Sequence, residues 1–156
     1  MLRKISLIPF LLWLGVTFSY AKEITYAHFI SDFKDPLKMF VDRAFKSTFS
    51  DLKEISITPI KGGFSSAMLY TITDKKKKYV LRILPAHYEI QKRMAEHEGQ
   101  KIAASLGVAP KVIYAGPESH VMIMEYVDGR TLTPQDMKNP VILKKIAHHL
   151  RAIHDY

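Results

Sequence analysis

The sequence predicts an α+β fold in which a five-stranded antiparallel sheet carries one long helix between its third and fourth strands. Three observations carry that prediction. The hydrophobic period changes from helical to alternating at Ile55; Gly62-Gly63 and the lysines Lys75 to Lys78 punctuate the alternating region; and a helical run from about Tyr88 to Leu106 is followed by two more β-rich segments. At 156 residues the chain has room for one domain with its own core and is too short for a two-lobed enzyme. Its 47% hydrophobic and 24% charged residues exclude a disordered or collagen-like chain.

The opening residues have a separate character. MLRK is basic, ISLIPFLLWLGVTF is a fourteen-residue apolar run, and Ser19-Tyr20-Ala21 places small residues where a signal peptidase inspects them. Residues 1–21 therefore read as a secretory signal cleaved before Lys22. An uncleaved anchor is the weaker reading, because the run falls short of the ~20 apolar residues that span a bilayer and contains Pro9. A start at Met39 is the third. The first reading exports the protein; a Met39 start leaves it in the cytoplasm. Removing residues 1–21, which hold Arg3 and Lys4 and no acid, lowers the formal charge from +8 to +6. Such a balance favours nucleotide phosphates, polyanions or an acidic membrane surface, or is a solvated basic surface without a partner. With no cysteine, a disulfide framework, a thiol nucleophile and a cysteine zinc site are excluded.

The elements follow in order. KEITYAHFISDFK is a linker or an edge strand. Asp35-Pro36 starts a helix, with an acidic N-cap and proline at the first helical position, whose Leu37, Phe40, Val41, Ala44, Phe45 and Phe49 share one apolar face. Ile55, Ile57 and Pro59 form the first strand and Ala67 to Ile72 the second; YVLRIL is the third, across a lysine-rich hairpin tip. That tip has no interleaved aromatic platform, so specific nucleic-acid binding is not expected. The long helix ends at Gly107 with Pro110 shortly after, and its stripe of Met94, Ala95, Ile102, Ala103 and Leu106 should lie against the sheet. KVIYA and HVMIMEYV are the fourth and fifth strands, joined by the turn at residues 116–119. Thr133-Pro134-Gln135-Asp136 opens a helix and Pro140 a second one.

Five pieces of the sequence together resemble the choline kinase and aminoglycoside phosphotransferase family of small-molecule kinases, from about Ile55 to His154. They are IKGGFSSAMLYTI, KYVLRI, RMAEHEGQKIAASLGVAPKVIYAG, IMEYVDGRTL and IAHHLRAIH. The resemblance implies a protein-kinase-like N-terminal lobe over 55–129. A 22–54 extension with a helix at about 36–50 precedes it, and a linker with helices of an incomplete C-lobe follows at 130–156.

The candidate site residues carry readings of their own. Gly62 and Gly63 allow close backbone approach to a ligand, and Ser65 and Ser66 offer donors to phosphate oxygens, although the family commonly has asparagine at the position of Ser66. Arg82 is a permanent cation inside Val80-Leu81-Arg82-Ile83-Leu84, and burying it without an anion would cost several kcal/mol. The alternative puts Arg82 on the outer face of an edge strand, with Leu81 and Ile83 inward and Val80 and Leu84 outside beside it. For its partner the resemblance points to Glu96, whereas helical geometry places Glu98 nearer the centre of the apolar stripe. In the family, the cation at this strand position pairs nucleotide phosphates and a helix glutamate. The connection after the fifth strand binds the adenine edge there, so the Glu125 carbonyl and Val127 amide are the implied contacts, with Met124 behind them.

His154-Asp155 is not the family's His-x-Asp catalytic loop, because no residue separates the two; it matches a structural helix histidine instead. The resemblance therefore implies ATP with magnesium as cofactors, magnesium ligands from outside this chain, and an acceptor alcohol chosen by a C-lobe. The expectation is a truncated kinase that keeps its nucleotide lobe and does not catalyse alone, in partnership with nucleotide and with a separate C-lobe polypeptide if the protein is split. The alternative is an exported basic interaction domain on a kinase-like scaffold.

Overall fold

The computed structural model describes residues 22–61, 66–85, 87–116 and 120–156. The proposed signal at 1–21, the phosphate-loop residues Gly62, Gly63 and Ser65, and most of the 116–119 turn lie outside them. Along the chain run β1 (Ile24–Thr25), α1 (Tyr26–Ser31), α2 (Leu37–Thr48), β2 (Ile55–Pro59), β3 (Met68–Asp74) and β4 (Lys77–Ile83). Then come α3 (Ile90–Ser105), β5 (Val112–Gly116), β6 (Val121–Glu125), a 3-10 turn (Asp136–Lys138) and α4 (Pro140–His154).

The strands form one antiparallel sheet in the order β1-β2-β3-β4-β6-β5. The five expected strands are β2 to β6, and the sixth is β1, which pairs Ile24 with Ile57 and Thr25 with Ser56. Two residues carry no period, so this edge strand could not be told from a linker. The lysine run is a hairpin tip in which Asp74 faces Lys77 and Lys75 takes a left-handed conformation (φ 54°).

Alternation sends one face of the sheet into the core. Ile55, Ile57, Ile72, Leu81, Ile83, Val121 and Ile123 pack with Phe29 of α1 and Val41, Ala44, Phe45 and Phe49 in and after α2. Each such large side chain contributes about 1.5–3 kcal/mol by leaving water. The α2 stripe lies where its spacing put it, but its start differs: Pro36 is the N-cap and no side chain caps the helix. Lys34 O accepts from Lys38 N–H at 3.0 Å, so a backbone carbonyl satisfies an amide that Asp35 was expected to cap.

The stripe on α3 is the larger correction. Its buried residues are Arg93 and His97, while Met94 is 48% exposed. Over residues 90–100 the covered side is Arg93, Glu96, His97 and Gln100, at helical spacing, so a polar face turns inward there and Met94 and Ala95 are exposed, while Ile102, Ala103 and Leu106 of the expected stripe are half-buried. The reason lies in the sheet: the surface this helix meets presents Arg82, which a row of apolar side chains would leave unpaired.

A Schellman motif ends α3, with Gly107 N–H bonding Ala104 O and Val108 N–H bonding Ala103 O. Gly107 has φ 72°, and a Cβ there would meet nothing within 4 Å. Gly107→Ala should therefore cost only the left-handed backbone, about 1–2 kcal/mol, read as a lower urea midpoint with unchanged slope.

The expected helix at Thr133 is only a 3-10 turn. Thr133 N–H and Oγ1 both bond Asp136 Oδ2 at 2.7 Å, and Arg130 grips the same carboxylate at 2.6 and 2.8 Å. Those hydrogen bonds, Arg130 first, hold Asp136 well below the usual carboxylate range. Asn139, held extended (φ −86°, ψ 115°) as residues before proline are, stops the turn; its Oδ1 then caps α4 at Val141 N–H, 2.9 Å. No residue of α4 is buried.

Candidate functional site

The sheet face opposite the core forms one wall of a cleft of about 450 Å³. Strand alternation builds this wall. Val80 and Arg82 project from β4 away from Leu81 and Ile83, which are fully buried on the other side. Register adds their neighbours: Leu69 of β3 lies opposite Arg82, and Met124 of β6 opposite Val80. Glu125 and Val127 close one end, and Gln100 and Pro110 lie along the helix side.

Arg82 stands in a central strand, flanked by β3 and β6, so the edge-strand alternative is excluded. Its side chain is 24% exposed and its Nη2 donates to Glu96 Oε2 at 2.5 Å. Of the two candidate acids, Glu98 faces outward, 63% exposed and 2.8 Å from Lys101. A helix advancing 100° per residue puts residues 96 and 98 on nearly opposite sides, so only one could reach the sheet. Glu96 also borders a second hollow of about 460 Å³, with His87, Tyr88, Lys92 and Ala95. The Arg82–Glu96 pair thus separates the two spaces.

The other candidates fall as follows. Met124, Glu125 and Val127 line the cleft beside Arg82, where β6 leaves the sheet. Glu125 N–H bonds Lys111 O at 3.0 Å and Tyr126 N–H bonds Lys78 O at 3.4 Å; Val127 is the next residue and is 65% exposed. Ser66 is exposed in the bend before β3 and is not one of the residues that line the cleft. Sequence reasoning missed Leu69, Val80, Gln100 and Pro110. Two signals were available: Val80 shares the period-2 face of Arg82, and Gln100 is one helical turn beyond Glu96.

Several groups around the pair are tuned by burial. His97 is 1% exposed, and neither ring nitrogen has a partner among the described residues. Burial first, then Lys101 and Arg82, holds its value below that of an ordinary histidine. His120, at the start of β6, is lowered by burial and by Arg93, against a hydrogen bond to the Pro85 backbone. The arrangement offers an apolar slot with exposed backbone at one end, and a cation pre-paired with a carboxylate along its wall. Such a site suits a flat, partly apolar ligand with an anionic tail. Among the described residues no group of three or more His, Cys, Asp or Glu side chains is placed to hold a metal ion.

Comparison with known proteins agrees with this architecture. The family model described as Choline/ethanolamine kinase matches residues 57–156. The chain is 26% identical over 147 residues to a probable ethanolamine kinase of Arabidopsis thaliana, across 86% of this chain and 39% of that protein. The solved Plasmodium vivax ethanolamine kinase shares the fold with a TM-score of 0.57 at 22% identity, over 80% of this chain and 35% of that one. The chain spans less than two fifths of the length of either relative.

Proposed function

Because the chain belongs to the choline/ethanolamine kinase family, we propose that its sheet and α3 form the nucleotide-binding part of an ATP-dependent small-molecule phosphotransferase. Alone, in this reading, the chain binds nucleotide without completing phosphoryl transfer. The observation that carries it is the Arg82–Glu96 pair beside an apolar cleft whose far end is the exit of β6. Leu69, Val80 and Met124 would cover the faces of the adenine ring, and the Glu125 carbonyl and Val127 amide would take its polar edge. Arg82 would hold the phosphates, and Glu96 would hold Arg82 in place before nucleotide binds.

Bound ATP supplies the phosphoryl group, and magnesium neutralises its charge in such reactions. The part played by the described residues is to bind and orient the nucleotide. A carboxylate to position the acceptor hydroxyl and acids for the metal would come from residues beyond those described, in a further part of the protein or in a separate polypeptide. The acceptor in this reading is a small alcohol; both relatives are named for ethanolamine, a cationic one.

An ATP titration followed by thermal shift tests the reading, and a chain that shows no shift at millimolar ATP would overturn it. Within it, Glu96→Gln should weaken ATP roughly tenfold, equivalent to about 1.4 kcal/mol, by freeing Arg82 to wander. Glu98→Gln, altering an exposed carboxylate on the far side of the helix, should leave affinity unchanged. Equal losses in both variants would mean that the effect is general to α3.

A further inference from the structure

Glu96 can reach Arg82 only if α3 is held at one height and rotation over the sheet, yet the residues this helix buries fully beside Glu96 are the polar Arg93 and His97. What holds it is polar. Arg93, three residues before Glu96 and 8% exposed, donates from Nη1 to the Tyr88 carbonyl ahead of the helix and lies 3.4 Å from His120 Nδ1 across the fold. Gln100, four residues after Glu96, donates from Nε2 to the Pro110 carbonyl at 3.0 Å. These two tethers bracket Glu96 on the same helical face.

The geometry points to Arg93 and Gln100 as positioning residues that set α3 where Glu96 meets Arg82, with His120 making one tether responsive to protons. Arginine has no acceptor, so its contact with His120 Nδ1 requires that this nitrogen be unprotonated. A proton there removes the acceptor and places two cations face to face. The surroundings of His120 offer little relief: from α2 it meets Phe40, whose ring centroid lies 6.3 Å from its own, and from the segment after β4 it meets Leu84 and the Pro85 backbone, whose hydrogen bond favours the proton but is outweighed by burial and Arg93. Arg93 is the charged group facing it. His97, the buried histidine of α3 itself, faces Lys101 and Arg93 on its own helix, Arg82 from β4, and the neighbouring Glu96.

The direction follows from the lowered values of both histidines. The unfolded or opened state takes up the proton more readily, so their contribution is fully present above the ordinary histidine range of about 6.5. It is lost as pH falls below that range toward the lowered values. Acid should therefore loosen α3 and part Glu96 from Arg82, while α2, which meets His120 through the uncharged Phe40 ring and is held by the apolar core, stays closed.

The inference deepens the nucleotide-site reading but is tested without nucleotide. Amide hydrogen exchange of the unliganded chain, corrected for the pH dependence of exchange chemistry, is compared at about pH 8 and about pH 5.5. Protection across α3 should fall about tenfold at the lower pH, with α2 unchanged. His120→Asn keeps an acceptor that does not titrate and should remove the response. Gln100→Glu, which loses the donor at nearly constant shape, should lower α3 protection at both pH values. In the unaltered chain, the NMR titration midpoint of His120 should coincide with α3 opening, a measurement that stands even if the variants fold poorly. Loss of α2 and α3 together, a response that survives in His120→Asn, or a His120 midpoint away from α3 opening would each overturn the inference. An intact pH response in a chain that does not bind ATP would overturn only the nucleotide reading.

Discussion

Arg82→Ala is expected to abolish the ATP-dependent thermal shift of this chain. A ligand at a hundred times its dissociation constant stabilises a protein by about 2.7 kcal/mol, which moves the melting temperature by several degrees in a domain of this size, so the wild-type signal is easily measured. Arg82 is the cleft's cation, central in the sheet and already oriented by Glu96. Its removal takes away the group proposed to meet the phosphates and leaves Glu96, 32% exposed, without its partner. The loss in the unliganded protein should be small. An exposed ion pair contributes about 0–1 kcal/mol and breaking a buried one costs about 3–5; this pair, partly open to water, lies between. A variant that melts near the wild type without ATP and no longer responds to it is the predicted result. Arg82→Lys should keep part of the response, because a single ammonium keeps the charge but not the planar fork. A full shift in Arg82→Ala would remove Arg82 from the site.

Phe45→Ala should have the largest effect on stability, about 3–5 kcal/mol in the range for buried phenylalanine. That is a large share of the roughly 5–15 kcal/mol that holds a domain folded. Phe45 is fully buried, and its ring centroid lies 5.0 Å from that of Tyr26, 5.9 Å from that of Phe29 and 5.6 Å from that of Phe49. The residue belongs to α2, ahead of the segment that the family model matches. A loss of this size in urea unfolding would establish the 22–54 region as part of the domain core; a loss below about 1 kcal/mol, typical of surface sites, would make it a detachable extension.

Much of this architecture is legible in the chain itself. Period-2 alternation around β2 and β4, and short β-rich runs bounded by turns for β3, β5 and β6, identify the strands, and alternation alone puts Val80 and Arg82 on the face opposite Leu81 and Ile83. The spacing on α2 fixes its buried face because a dozen residues repeat one apolar stripe. The Gly107 stop is equally plain, since it needs only a residue that tolerates a left-handed backbone. A cation within an apolar strand announces that an anion must be near, whatever the fold. Tertiary structure alone decided the rest. Two residues of β1 acquire their meaning from β2, and Leu69 and Gln100 join the cleft through register and helix placement, which are relations between distant segments. The choice between Glu96 and Glu98 shows the reason most clearly. The hydrophobic stripe of α3 pointed one way, but a helix turns toward whatever surface it meets, and here that surface holds Arg82. A charge in the sheet outweighs Met94 and Ala95 on the first part of the helix, so there the polar side faces in and Glu96 arrives at the arginine.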